Sequence, residues 1–197
     1  MKSTAGIGMR MVAGLAAALL LPACAPLDRL TPQEHLDKRS GDTLLVVNQA
    51  LVFARERSDV AVRARDYVTL VAVEADRAGQ FSAYLLAYRW STVDRRLAAL
   101  PSAEAGELHI FADGREIVLR PLPKLPAALQ DADRLHAPRE AQYVLWGYAT
   151  DLGTLSYVAA SQSVTVSFPR EPLPLEFALW EDGRASMREL ADRGTSR

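Results

Sequence analysis

The stretch Tyr67 to Glu74 reads YVTLVAVE, and after the turn signal Asp76 to Gly79 a second apolar run extends from Phe81 to Trp90. β-Branched and aromatic side chains suit a pleated surface, so both runs are expected as strands of one long antiparallel hairpin. A second hairpin is expected at His109 to Leu119. There Asp113-Gly114 separates two alternating flanks, and glycine accepts the positive φ of a type I′ turn without steric cost. Leu44 to Val47 starts another strand, although residues 44–54 would also serve as a buried helix. Val60 to Arg65, VAVRAR, alternates imperfectly. Pro121, Pro123 and Pro126 break regular structure, and Tyr143 to Ala149 resumes it as a strand. Val164, Val166 and Phe168 alternate, with Leu175 to Trp180 as the expected hairpin partner.

Two helices are expected late in the chain. Thr150 or Asp151 caps one that runs to about Ser161, with Leu152, Leu155 and Ala159 on one face. Asp182 caps the other, in which Met187, Leu190 and Ala191 form the buried stripe and Gly194 ends the helix. This order predicts an α+β fold, a mostly antiparallel β-sheet with the two helices packed on it. A β-sandwich with helical decoration is the alternative.

Composition removes several function classes. The chain has 197 residues, 49% hydrophobic and 24% charged, which suits one globular domain. Its formal net charge of -1 argues against a basic nucleic-acid binder. The single cysteine, Cys24, excludes an internal disulfide framework and a CxxC redox pair.

Lys2 and Arg10 precede a continuous apolar run from Met11 to Leu21, and Leu21-Pro22-Ala23-Cys24 follows. The run is shorter than the ~20 residues that cross a bilayer but fits the apolar region of a signal peptide. The tetrapeptide resembles the lipobox of bacterial lipoprotein precursors. That resemblance implies cleavage before Cys24, lipidation of its thiol and acylation of the new amino group. Ala25 after the cysteine, where aspartate resembles an inner-membrane retention signal, implies the outer membrane and a domain facing the periplasm. Two other readings use the same residues: ordinary secretory cleavage at Ala23-Cys24-Ala25, which Pro26 disfavours, and a buried apolar helix.

Residues 1–23 are thus expected as a signal peptide, 24–42 as a lipid-anchored tether and 43–197 as a single periplasmic domain. Cleavage would leave 21 basic against 24 acidic residues, no help in holding anionic lipid. Within the tether, Thr31-Pro32-Gln33-Glu34 would open a short helix with Thr31 as N-cap.

No nucleophile elbow, P-loop, dinucleotide fingerprint or calcium loop is present, so neither catalysis nor a cofactor is expected. His35, His109 and His136 lack metal-ligand spacing, and no metal is expected. Glu74 with Asp76, and Asp131 with Asp133, are close enough for acid–base work, but their turn positions predict solvated carboxylates. Arg55, Arg57, Arg63, Arg65, Arg95 and Arg96 alternate with Glu56, Asp59, Asp66 and Asp94 as a mixed, solvated surface.

The aromatic pattern is more specific. Tyr84, Tyr88 and Trp90 share one face of the strand 81–90, and Trp146 and Tyr148 share a face on 143–149. Such residues either form core under the helices or offer a stripe to a protein, peptide or glycan. The expected function is therefore an outer-membrane lipoprotein acting as a non-catalytic binding or accessory module of an envelope assembly. A small-ligand or lipid carrier and an envelope hydrolase are the alternatives.

Overall fold

The expected hairpin is the spine of the molecule. A computed structural model describes residues 30–59, 63–93, 106–130, 135–138, 142–169 and 175–197. Strand β4 (Arg65–Arg77) and strand β5 (Gln80–Ser91) pair from Asp66 opposite Ser91 to Arg77 opposite Gln80. Ala78 and Gly79, at φ 53° and 85°, close the turn between them, and Asp76 Oδ1 accepts the Gly79 N–H at 2.7 Å.

Strand β8 (Tyr143–Thr150) pairs with the outer edge of β5. The other edge of β4 is shared by β3 (Leu51–Glu56) along its first half and β2 (Thr43–Val46) along its second. Beyond β3 follow β10 (Leu175–Glu181), β9 (Val164–Phe168), β6 (Leu108–Ala112) and β7 (Arg115–Leu119), all antiparallel. Strand β1 (Gln33–Leu36) pairs with β2. The β6–β7 turn is the expected type I′, with Asp113 and Gly114 at φ 48° and 80°.

These ten strands form one sheet, so the sandwich alternative does not hold. The sheet curls until the chain just past β7 meets β8: Pro121 bridges Tyr148, and the Leu122 N–H donates to the Gly147 carbonyl at 2.8 Å. The inside of the curl is identified by a ring contact between two strands that are not sheet neighbours. Trp146 of β8 lies 5.5 Å from Phe168 of β9, which in turn meets Phe177 of β10 at 6.3 Å. Phe53, Leu70, Leu85, Ile110 and Val166 are buried with them. The outside is covered in part by the segment after β7, whose Leu122 and Leu125 lie against Gly147 and whose Leu129 and Leu135 are fully buried.

Helix α1 (Leu152–Ala160) is capped by Asp151, whose carboxylate accepts the Thr154 N–H at 2.8 Å. It packs against α2 (Arg184–Thr195), which also touches β4; α2 buries its expected stripe, and α1 buries Leu155 and Ala159 with Leu152 partly buried. The mostly antiparallel α+β reading is thus the observed class.

Local expectations are refined at several points. Residues 33–36 extend as β1 instead of opening a helix, so the folded body takes in part of the expected tether. The strand expected from Leu44 is β2, and the alternative of a helix over 44–54 gives way to a second strand, β3, after a turn. Residues 60–62 lie outside the described part, but Arg63 and Ala64 form a turn, and the strand begins only at Arg65. The N-cap of α2 is Gly183, with Asp182 accepting the Arg184 N–H from just outside the helix. Gly194 lies within that helix because it crosses α1 closely there: an added Cβ would come within 2.5 Å of Leu152.

Candidate functional site

The register divides the five aromatic candidates between two faces. Trp146 stands opposite Ala87 and Tyr148 opposite Leu85, so both project into the curl, where they are buried. Tyr148 donates its hydroxyl to the Gly106 carbonyl at 3.1 Å. Tyr84, Tyr88 and Trp90 belong to the opposite face. Tyr88 is fully buried there, edge-on to Tyr143 at 5.2 Å, whereas Tyr84 and Trp90 are half-buried. The five residues therefore make no common stripe. Period-two spacing places side chains on a face of their own strand, but it does not say which faces of two strands coincide.

Trp90 is the one that belongs to an accessible aromatic surface. Its ring stacks on Tyr67 at 4.1 Å and 10° between planes, and its Nε1–H donates to Thr69 Oγ1 at 3.1 Å. Both rings are thereby fixed in orientation before any partner arrives. Two strands away, the ladder slips between Leu179 and Glu181, leaving Trp180 in a bulge. Bulges re-aim side chains, and the Trp180 indole is 53% exposed. The Arg65 guanidinium lies 4.4 Å from that ring and pairs with Glu56 at 3.2 Å. Ala54 and Ala178, directly opposite each other and in register with Tyr67, keep this surface low.

A cleft of about 440 Å³ adjoins it, walled by Trp90, Thr69, His136, Gln49, Glu181 and Asp182. His136 holds a left-handed backbone, φ 55°, and its Nε2 lies 2.7 Å from the Val47 carbonyl. A carbonyl only accepts, so that nitrogen carries the proton. Asp182 is held below the usual carboxylate range by hydrogen bonds from Arg184 and remains ionised. The cleft thus offers an indole beside carboxylate and amide groups, a combination suited to binding an amphipathic or cationic surface. Sequence reasoning missed Tyr67 and Trp180. The signal for Trp180, an aromatic at the end of a strand beside acidic residues, was present but gave no hint of the bulge.

Two carboxylates read as solvated are buried instead. Asp66, 2% exposed in its side chain, accepts from Arg55 at 3.0 Å and Arg57 at 3.1 Å. Burial alone would raise its pKa, but hydrogen bonds from Ser91, Arg55 and Arg57 outweigh that and hold the carboxyl below its usual range. Glu74, equally buried, faces Arg197 at the longer distance of 3.5 Å; burial dominates there and pushes its pKa up. His109 pairs with Glu116 at 2.6 Å on the β6–β7 hairpin, and no group of three metal-ligating side chains occurs among the described residues. Asp131, Asp133, Asp94, Arg95, Arg96 and the lipidation candidate Cys24 lie outside the described residues.

No family model, no curated protein and no solved structure matches the chain.

Proposed function

We propose that this protein is an outer-membrane lipoprotein, anchored through Cys24 and facing the periplasm, whose domain works by binding as an accessory module of an envelope assembly. One observation carries the binding part: Trp180, exposed on a bulge beside Arg65, next to the rigid Tyr67–Trp90 stack and its cleft. An exposed tryptophan loses its hydration on contact with a partner, and a preformed platform loses little conformational entropy in doing so. The carrier alternative is less well supported, because Trp146, Phe168 and Phe177 fill the inside of the curl.

The test is photocrosslinking in intact envelopes with a photoreactive residue at position 180, and the same residue at Lys124 for comparison. A specific protein adduct from position 180 that weakens in the Cys24→Ser form supports a membrane-tethered module. No adduct from a folded and abundant protein would overturn the binding surface. An equally strong adduct in the Cys24→Ser form would remove the need for the anchor.

A further inference from the structure

We infer that the corner of the domain formed by Leu30, the Asn48–Gln49 turn and the start of α2 faces the headgroup surface of the bilayer, with the candidate cleft beside it. This rests on the anchoring reading above and adds what the chain length permits. Between Cys24 and Leu30 stand only five residues, Ala25 to Arg29. Six Cα steps, even fully extended, reach about 20 Å.

Leu30 is fastened to the body. Its carbonyl accepts the Ser186 hydroxyl at 3.2 Å, and the same Oγ accepts the backbone N–H groups of Asn48 at 2.9 Å and Gln49 at 3.2 Å. Ser186 is completely buried, so this three-way junction is shielded from competing water. Three residues on, Gln33 donates to the Asn48 side chain at 2.9 Å and enters β1. A loose tether to Thr43 would have allowed about 65 Å of reach. The fastened one allows about a third of that. Gln49 both joins the junction and walls the cleft, so the cleft is held at the membrane surface. The surface of the described corner is not basic: Arg184 there is already paired with Asp182 at 2.6 Å. The apposition therefore follows from the strap and requires no lipid affinity of the domain.

The experiment uses the full, signal-processed chain in phosphatidylethanolamine and phosphatidylglycerol vesicles carrying a headgroup-attached quencher. Because the Cys24 thiol is acylated, an introduced cysteine is the only one to label. A fluorophore at Gln49→Cys should be quenched several-fold more than one at Ser58→Cys, beyond the far end of β3. Inserting twenty Gly/Ser residues after Ala25 should bring the two to the same low level while the protein still floats with vesicles. Equal quenching at both positions, or quenching unchanged by the spacer, in protein that floats would overturn the inference and leave anchoring intact. Protein that fails to float and shows an unmodified Cys24 by intact mass would overturn anchoring, and this inference with it.

Discussion

Strands β5 and β8 carry aromatic residues on both faces, and the two faces do different things. Inward, Trp146 and Tyr148 are tied into a packed interior by Phe168 and by the Gly106 carbonyl. Outward, Trp90 belongs to a stacked pair that borders a cleft, and beyond the small side chains of Ala54 and Ala178 the bulge exposes Trp180. The same residue types thus supply cohesion on one side and an accessible platform on the other. Aromatic content alone identifies neither role. The curl of the sheet assigns it.

Removing an inward ring should produce the largest effect. Trp146→Ala leaves a cavity against Phe168 and should cost about 3–5 kcal/mol in urea unfolding. Stability within 1 kcal/mol of wild type would break the comparison at its root. The inward face also holds Asp66, whose loss would take the carboxylate from Arg55 and leave Arg57 with Asp59, 3.1 Å away, in its place. Asp66→Asn should cost about 2–3 kcal/mol at neutral pH, below the range for a fully buried pair because both arginines keep some water. Asp66 has a depressed pKa, so its contribution is complete above the usual aspartate range and disappears as pH falls through the folded pKa. The deficit of Asp66→Asn against wild type should therefore shrink in acid.

Glu74 sits on the same strand and the same face as Asp66, eight residues on, and it should respond with the opposite sign. Its folded pKa is raised by burial, so the protonated form is favoured in the fold, and wild-type stability falls as pH rises through that value. Glu74→Gln should raise Tm slightly at pH 7 to 8 and have no advantage near pH 4. A variant less stable than wild type at pH 8 would mean that Arg197 outweighs the burial.

Much of this molecule was legible because local chemistry and global fold agree. The β4–β5 and β6–β7 hairpins, the Asp151 cap and the stripe of α2 each rest on residues within one element. What was not legible depends on which elements meet. Nothing near Glu74 in the chain says that α2 and Arg197 will cover it. Residues 31–36 read as tether because their few apolar side chains gave no period, yet β2 offers them a free edge to pair with. At the start of β4 the strand begins only at Arg65, where Glu56 of β3 stands opposite, and Arg63 and Ala64 just before it belong to the turn. The site suffered most. Its platform joins residues of β4, β5 and β10, and Trp180 owes its direction to a one-residue slip of the ladder.

Trp180 gives the smallest expected effect on stability and the sharpest separation of the two faces. Its visible interaction is with Arg65, worth about 0.5–1 kcal/mol at an exposed position. Arg65 retains Glu56 when the indole is gone, so no buried charge is left without a partner. Trp180→Ala should therefore unfold within about 1 kcal/mol of wild type while losing the envelope adducts formed from neighbouring positions such as Glu176. Trp180→Phe, which keeps a flat ring over Arg65, should recover part of that crosslinking. A large loss of stability would instead make Trp180 structural and return the outward face to the role of the inward one. Unchanged stability with unchanged adducts would place the partner elsewhere on the domain.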